Sequence, residues 1–281
     1  MKRGRLRPSR TSWRSAVADD EYAGRLRVGW SGADDPPRRE LPLVLLLLTF
    51  TTGLLDAVSY LGLGRVFSGI QTGNLVVLGF ALAGTPGFSI AGPALSLAAF
   101  FAGAALGGRL ANRLSRIHRR WLALALLVEA LLVGLGALAA MGLPLEALGD
   151  WRTYAIIALL AGAMGLRSAT IRRLAAPEVT TTVLTSTITS LATDAGTLSA
   201  APGRQAWQLT TIAIRLLGAV AGAVLLRSSL ILPLAVVTGL IVTAAAAYVT
   251  PVLLRAIRGR IRRWRRRRGD GAPPVTGNPA G

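Results

Sequence analysis

Three observations predict an all-α polytopic membrane protein, with about six transmembrane helices in two inverted three-helix repeats, each repeat holding a re-entrant or in-plane segment. Apolar runs near the ~20 residues that a bilayer-spanning helix needs recur along a chain that is 52% hydrophobic. Arginines gather at the two chain ends and in alternate loops, and a set of glycine and hydroxyl signals returns in the same order in each half.

Residues 1 to 40 mix ten basic with six acidic residues among Ser, Gly and Pro and lack apolar periodicity, so a disordered basic cytoplasmic tail is expected. Arg38-Arg39 has the look of a twin-arginine export signal, but the apolar run behind it is too long for a signal core and further spans follow. Spans are expected at 42–63, 90–109, 121–141, 152–171, 206–226 and 230–250. The transmembrane domain is then 41–250, with repeat one at 41–141 and repeat two at 151–250, followed by a basic cytoplasmic tail at 251–281. Pro42 falls in the first turn of the first span, where a missing N–H costs little, and Pro251 closes the last.

Orientation follows from the loops. The stretch between spans two and three carries Arg109, Arg113, Arg116, Arg119 and Arg120, and the stretch between four and five carries Arg172, Arg173 and Arg204. The alternate loops offer only Arg65, then Glu146, Asp150 and Arg152, then Arg227. Both termini inside satisfies the positive-inside rule at every loop, which predicts cytoplasmic ends. The +19 net charge is therefore topology, and nucleic acid is not an expected partner.

The stretch from Phe67 to Gly84 is too polar at its start and too short for an ordinary span, and counting it as one would put the arginines at 109–120 outside. Its polar tetrad, Gln71-Thr72-Gly73-Asn74, reads as a re-entrant element, with a degenerate copy near Val179 to Thr193. The repeat has three parts. Gly53-Leu54-Leu55-Asp56-Ala57 matches Gly165-Leu166-Arg167-Ser168-Ala169; Thr72-Gly73-Asn74-Leu75 matches Thr185-Ser186-Thr187-Ile188; and the next span of each half carries a GxxxG, at Gly103 and Gly107 and at Gly218 and Gly222. An odd number of spans per repeat makes the two copies enter the membrane from opposite faces. Irregular backbone at depth must be satisfied by protein, water or solute, so Asp56, Gln71, Thr72, Gly73, Asn74, Thr185, Ser186 and Thr187 are the candidate substrate pathway. The competing reading is that these hydroxyls only cap helix ends or bond back to the preceding turn.

Four charges fall inside spans: Asp56, Glu129, Arg167 and Arg215. Each costs about 2.5–3.5 kcal/mol at a helix centre, so each is expected to face the bundle and find a partner. Similar depth pairs Glu129 with Arg215, either as a relay or as a tie that merely orients helices, whereas Arg167, nearer a span end, is expected to snorkel to the interface. No cysteine and a single histidine, His118, leave no metal site, no cofactor site and no Ser/His or paired-carboxylate centre, so an enzyme is not expected. Arg258 to Arg268, RGRIRRWRRRR, suits anionic lipid headgroups of the surrounding lipid bilayer. Homo-oligomerisation is compatible with the sequence.

Residues 42 to 250 resemble the YoaK family of bacterial integral membrane proteins, described as a domain of unknown function. The resemblance rests on Gly53-Leu54-Leu55-Asp56-Ala57-Val58-Ser59-Tyr60-Leu61, on Val66-Phe67 with Gln71-Thr72-Gly73-Asn74-Leu75, and on the Thr-rich Thr180 to Leu191. It implies an inner-membrane location and roughly six spans, and no substrate or reaction. Where that family tends to show Gly-Leu-Gln-Asn-Ala, this chain has Gly165-Leu166-Arg167-Ser168-Ala169; where it shows Thr-Gly-Thr, this chain has Thr185-Ser186-Thr187. The expected function is a transporter or channel for a small polar or ionic solute, running between the inverted repeats. A non-transporting membrane scaffold or sensor is the alternative.

Overall fold

A computed structural model describes residues 41–114, 118–143, 149–173, 189 and 202–247; both tails and the stretch containing Thr185, Ser186 and Thr187 lie outside the described residues. The described residues form helices α1 (Leu41–Gly62), α2 (Gln71–Leu82), α3 (Ala91–Leu114), α4 (His118–Ala139), α5 (Trp151–Arg173), α6 (Pro202–Leu226) and α7 (Ile231–Ala247). Five of these, α1, α3, α4, α5 and α6, are long and apolar enough to cross a membrane. They fall on the first five expected spans, with α3 running on to Leu114 and α6 beginning at Pro202. The described part of α7 covers most of the sixth.

Apolar side chains point both ways. Leu54, Leu126, Leu160, Leu234 and Ile241 fill a common core, while Phe101, Leu131, Leu216 and Leu217 face outward, the pattern of helices solvated by lipid on one side. Hydroxyls within the apolar α1 bond back to the preceding turn, Thr49 to the Leu45 carbonyl and Thr51 and Thr52 to that of Leu48. Their hydroxyl protons need no outside acceptor.

At twelve residues, α2 is about 18 Å long, short of the ~30 Å hydrocarbon core. It begins after a non-helical turn at Val66 to Ile70 and packs on α3.

Two helix pairs are drawn together by glycine. Against α6, a Cβ at Gly53 of α1 would overlap the Arg215 carbonyl and meet the Ala219 amide; against α3, a Cβ at Gly165 of α5 would overlap the Phe100 carbonyl and meet the Ala104 amide. Arg215 stands three residues before Gly218, as Phe100 stands three before Gly103. The reverse contacts correspond too. Gly218 lies on the Phe50 carbonyl and Gly103 on that of Gly162; Gly222 lies on Leu54 and Ala57, and Gly107 on Leu166 and Ala169. Each partner stands at the same distance from Gly53 as its counterpart does from Gly165. The α1–α6 and α3–α5 crossings therefore match position for position, and both are parallel, since contacts advance in the same sense along both helices. α1, α3, α4, α5 and α6 each meet their tightest partner from the other half of the chain.

Candidate functional site

The turn before α2 is held by side chains that replace its missing backbone partners. Asn74, fully buried, accepts the Phe67 amide on Oδ1 at 2.8 Å and donates Nδ2 to the Phe67 carbonyl at 2.7 Å, so one side-chain amide satisfies both backbone groups of one residue. Nδ2 also lies 3.0 Å from the Ser96 hydroxyl, which donates to the same Phe67 carbonyl at 2.9 Å. Gln71 donates to the Ser68 carbonyl at 2.9 Å and accepts from Asn74 at 2.9 Å. Gly73 leaves room for the Phe67 ring, which a Cβ would meet at 2.9 Å, and that ring stacks on Tyr60 with centroids 4.5 Å apart. Thr72 is exposed.

This turn rests on a buried carboxylate. Asp56 of α1 accepts the Gly69 amide on Oδ1 at 2.8 Å and the Ser68 hydroxyl on the same oxygen at 3.3 Å, and its Oδ2 takes a hydrogen bond from Arg215 Nη2 of α6 at 2.7 Å. Ser59 Oγ, one turn further along α1, accepts the Ser68 amide at 3.0 Å. A continuous set of hydrogen bonds thus links α3 at Ser96, α2 at Asn74 and Gln71, the turn, α1 at Asp56 and α6 at Arg215.

The second buried pair is not the expected one. Glu129 of α4 takes Nε and Nη2 of Arg167 on Oε1, and Arg167 Nη1 donates to the Leu48 carbonyl at 2.8 Å and to Thr52 Oγ1 at 2.7 Å. Glu129 with Arg215 is therefore corrected to Glu129 with Arg167, and Arg215 belongs to Asp56. Nor does Arg167 snorkel: it is 3% exposed, because α5 continues to Arg173 and keeps it more than a turn from the helix end. Similar depth along the chain selected the wrong partner, since the direction a side chain leaves its helix decides what it meets.

Of the candidate pathway residues, Asp56, Gln71, Gly73 and Asn74 converge at the turn, Thr72 stands outside it, and Thr185, Ser186 and Thr187 are not among the described residues. Ser96, Ser68 and Gly69 were missed. A signal for Ser96 existed: it stands seven residues before Gly103, as Thr211 stands seven before Gly218, and both are buried hydroxyl residues in apolar helices. The ion pair has no such counterpart, since the positions matching Asp56 and Arg215 hold Ser168 and Phe100.

Beside the turn lies a cleft of about 330 Å³, bounded by Leu63 and Gly64 just past the end of α1, by Val66, by Phe88 and Ser89 before α3 and Gly92 in its first turn, and by Thr153, Tyr154 and Ile157 of α5. Arg65 stands at its edge with its guanidinium 5.1 Å from the centre of the Phe88 ring. Its φ of 61° lies in the left-handed region, unusual for a residue with a side chain.

Apolar helices with lipid-facing side chains around paired interior charges define a polytopic helical membrane protein. Residues 44–248 match the family described as protein of unknown function (DUF1275), and the chain belongs to that family. It is similar to the UPF0700 transmembrane protein YoaK of Bacillus subtilis (strain 168), with 29% identity over 161 residues, covering 54% of this chain and 65% of that protein. The match thus spans less than two thirds of that relative. No solved structure matches the chain.

Proposed function

We propose that the protein is a transporter or channel, not an enzyme, that carries a small polar or ionic solute along the interface of two inverted repeats in a bacterial inner membrane, with both termini cytoplasmic. The observation that carries this reading is the polar turn at Val66 to Ile70, lying over an intramembrane ion pair and beginning a helix too short to span. Non-helical backbone at membrane depth is tolerated where it is buried in protein or lines a water-filled path. The matched crossings support the repeat. Support for its inversion comes from α1 and α5: Arg167 reaches Leu48 and Thr52, while Met164, earlier in α5, lies by Gly69 over Asp56, later in α1. The cleft at Val66, two residues from Ser68, supplies an approach to the turn.

A scaffold or sensor is favoured by one observation, namely that Asn74, Gln71 and Ser96 satisfy one another and the turn. Flux of a broad solute panel into proteoliposomes separates the two. Uptake that falls at least tenfold with Asn74→Ala, in protein that stays folded, supports transport; sealed vesicles passing nothing sink it. Basic tail residues Arg258 to Arg268 complete the proposal as contacts to anionic headgroups, each nearby charge contributing about 1 kcal/mol.

A further inference from the structure

The two buried arginines are engaged to different degrees. Arg167 uses Nε, Nη1 and Nη2, on Glu129, Leu48 and Thr52. Arg215 is also buried, at 8% exposure, yet among the described residues its side chain makes one hydrogen bond, from Nη2 to Asp56. A guanidinium carries five N–H donors in a fork that matches two oxygens of a planar anion. Among the described residues, most of the Arg215 fork is thus unengaged.

The groups around the Asp56 carboxylate are all donors: the Gly69 amide and Ser68 hydroxyl on one oxygen and the Arg215 guanidinium on the other. Gly69 has no side chain to obstruct them, and a Cβ there would stand 3.1 Å from Oδ1 and 3.4 Å from Oδ2. With Arg215 drawn from α6 and the amide and hydroxyl from the turn before α2, the donors come from both halves of the chain. The chain's own carboxylate fills a receptor for a flat anion with two oxygens.

We propose that this receptor is the solute-binding site, that its ligand is a small carboxylate or planar oxyanion, and that Asp56 occupies it as an internal competitor when no solute is bound. The incoming anion takes the place of the Asp56 carboxylate between the turn and Arg215. One oxygen faces Gly69 and Ser68 and the other faces the open side of the guanidinium fork. A spherical halide cannot bridge the two donor sets in this way. The proposal deepens the transport reading and rests on it for the solute's route, but not for the binding itself.

Binding is measured on the full-length protein in detergent, by thermal shift and calorimetric titration with sodium formate and sodium nitrate, with sodium chloride at equal ionic strength as control. Asp56→Asn removes the competing charge while keeping an oxygen for Gly69, so formate and nitrate should bind it at least tenfold more tightly than the parent. Arg215→Gln should abolish binding. If Arg215→Gln fails to fold, Arg215→Lys, which keeps the charge and loses the fork, should bind at least tenfold more weakly than the parent. Chloride equal to formate, or Asp56→Asn binding no tighter than the parent, or Arg215→Lys indistinguishable from it, each overturns the proposal. Nitrate uptake by proteoliposomes then separates the two claims: the expected ranking in binding without uptake leaves the anion site standing and removes transport, and uptake without that ranking does the reverse.

Discussion

Glu129 and Arg167 are a buried pair, and removal of either leaves the other without its partner. Glu129→Gln is expected to cost about 3–5 kcal/mol, measured as loss of thermal or denaturant resistance in detergent. Replacing both, with Glu129→Leu and Arg167→Met, should recover most of that, because apolar groups of similar volume remove the desolvation cost together with the attraction. A double variant as unstable as the single one would show that the bonds from Arg167 to Leu48 and Thr52 matter more than the pair. Asn74→Ala deletes both bonds to Phe67; the carbonyl keeps the Ser96 hydroxyl, and leaving the backbone amide unpaired costs about 1–3 kcal/mol. Its specific signature is local: a cysteine introduced at Ser68 should react faster with a water-soluble thiol reagent in the Asn74→Ala background, in a chain with no native cysteine to obscure it.

Helix packing makes a symmetric prediction. Gly53→Ala and Gly165→Ala should destabilise the protein by similar amounts, about 1–3 kcal/mol, because each new methyl meets the same backbone groups of its partner helix. Gly79→Ala in α2, where a Cβ meets nothing within 4 Å, should instead be neutral or stabilise by up to about 1 kcal/mol, as a glycine leaves a helix interior. Unequal losses at Gly53 and Gly165, read from unfolding midpoints, would break the equivalence of the two crossings.

How much of this was legible follows from the same elements. The long helices were, since an apolar run of twenty residues has few other fates. So was the importance of the glycines, because their spacing recurs, and of Asn74, because an amide in an apolar run needs a partner. Which helix each glycine faces was not legible, since GxxxG marks a flat surface and names no neighbour. The mispairing of Glu129 has the same origin: Glu129 of α4 and Arg215 of α6 stand at similar depth, but Arg167 leaves α5 on the side facing both α4 and α1. Ser96 escaped notice because one serine in an apolar helix usually bonds to its own preceding turn, whereas this one donates to Phe67.

For the molecule as a whole, the orientation proposed from charge placement can be tested directly. Single cysteines at Arg65, Asp150 and Arg227 should be labelled by a membrane-impermeant reagent added outside intact cells, and cysteines at Arg113 and Arg172 only after the membrane is opened. Labelling of Arg113→Cys from outside would reverse the topology and the assignment of the tails with it.

The crossings join the first half of the chain to the second, and this bears on how the protein is made. Asp56 and Arg215 are separated by 159 residues, so at ~5–20 residues per second of synthesis α1 waits roughly 8–30 s before its partner exists. During that interval the newly inserted helix presents a carboxylate and a bare glycine surface to lipid or to the insertion machinery. A nascent chain arrested before α6 should therefore be recognised as incomplete and degraded. Two separately encoded fragments, cut between α4 and α5, should assemble when produced together and vanish when either is produced alone.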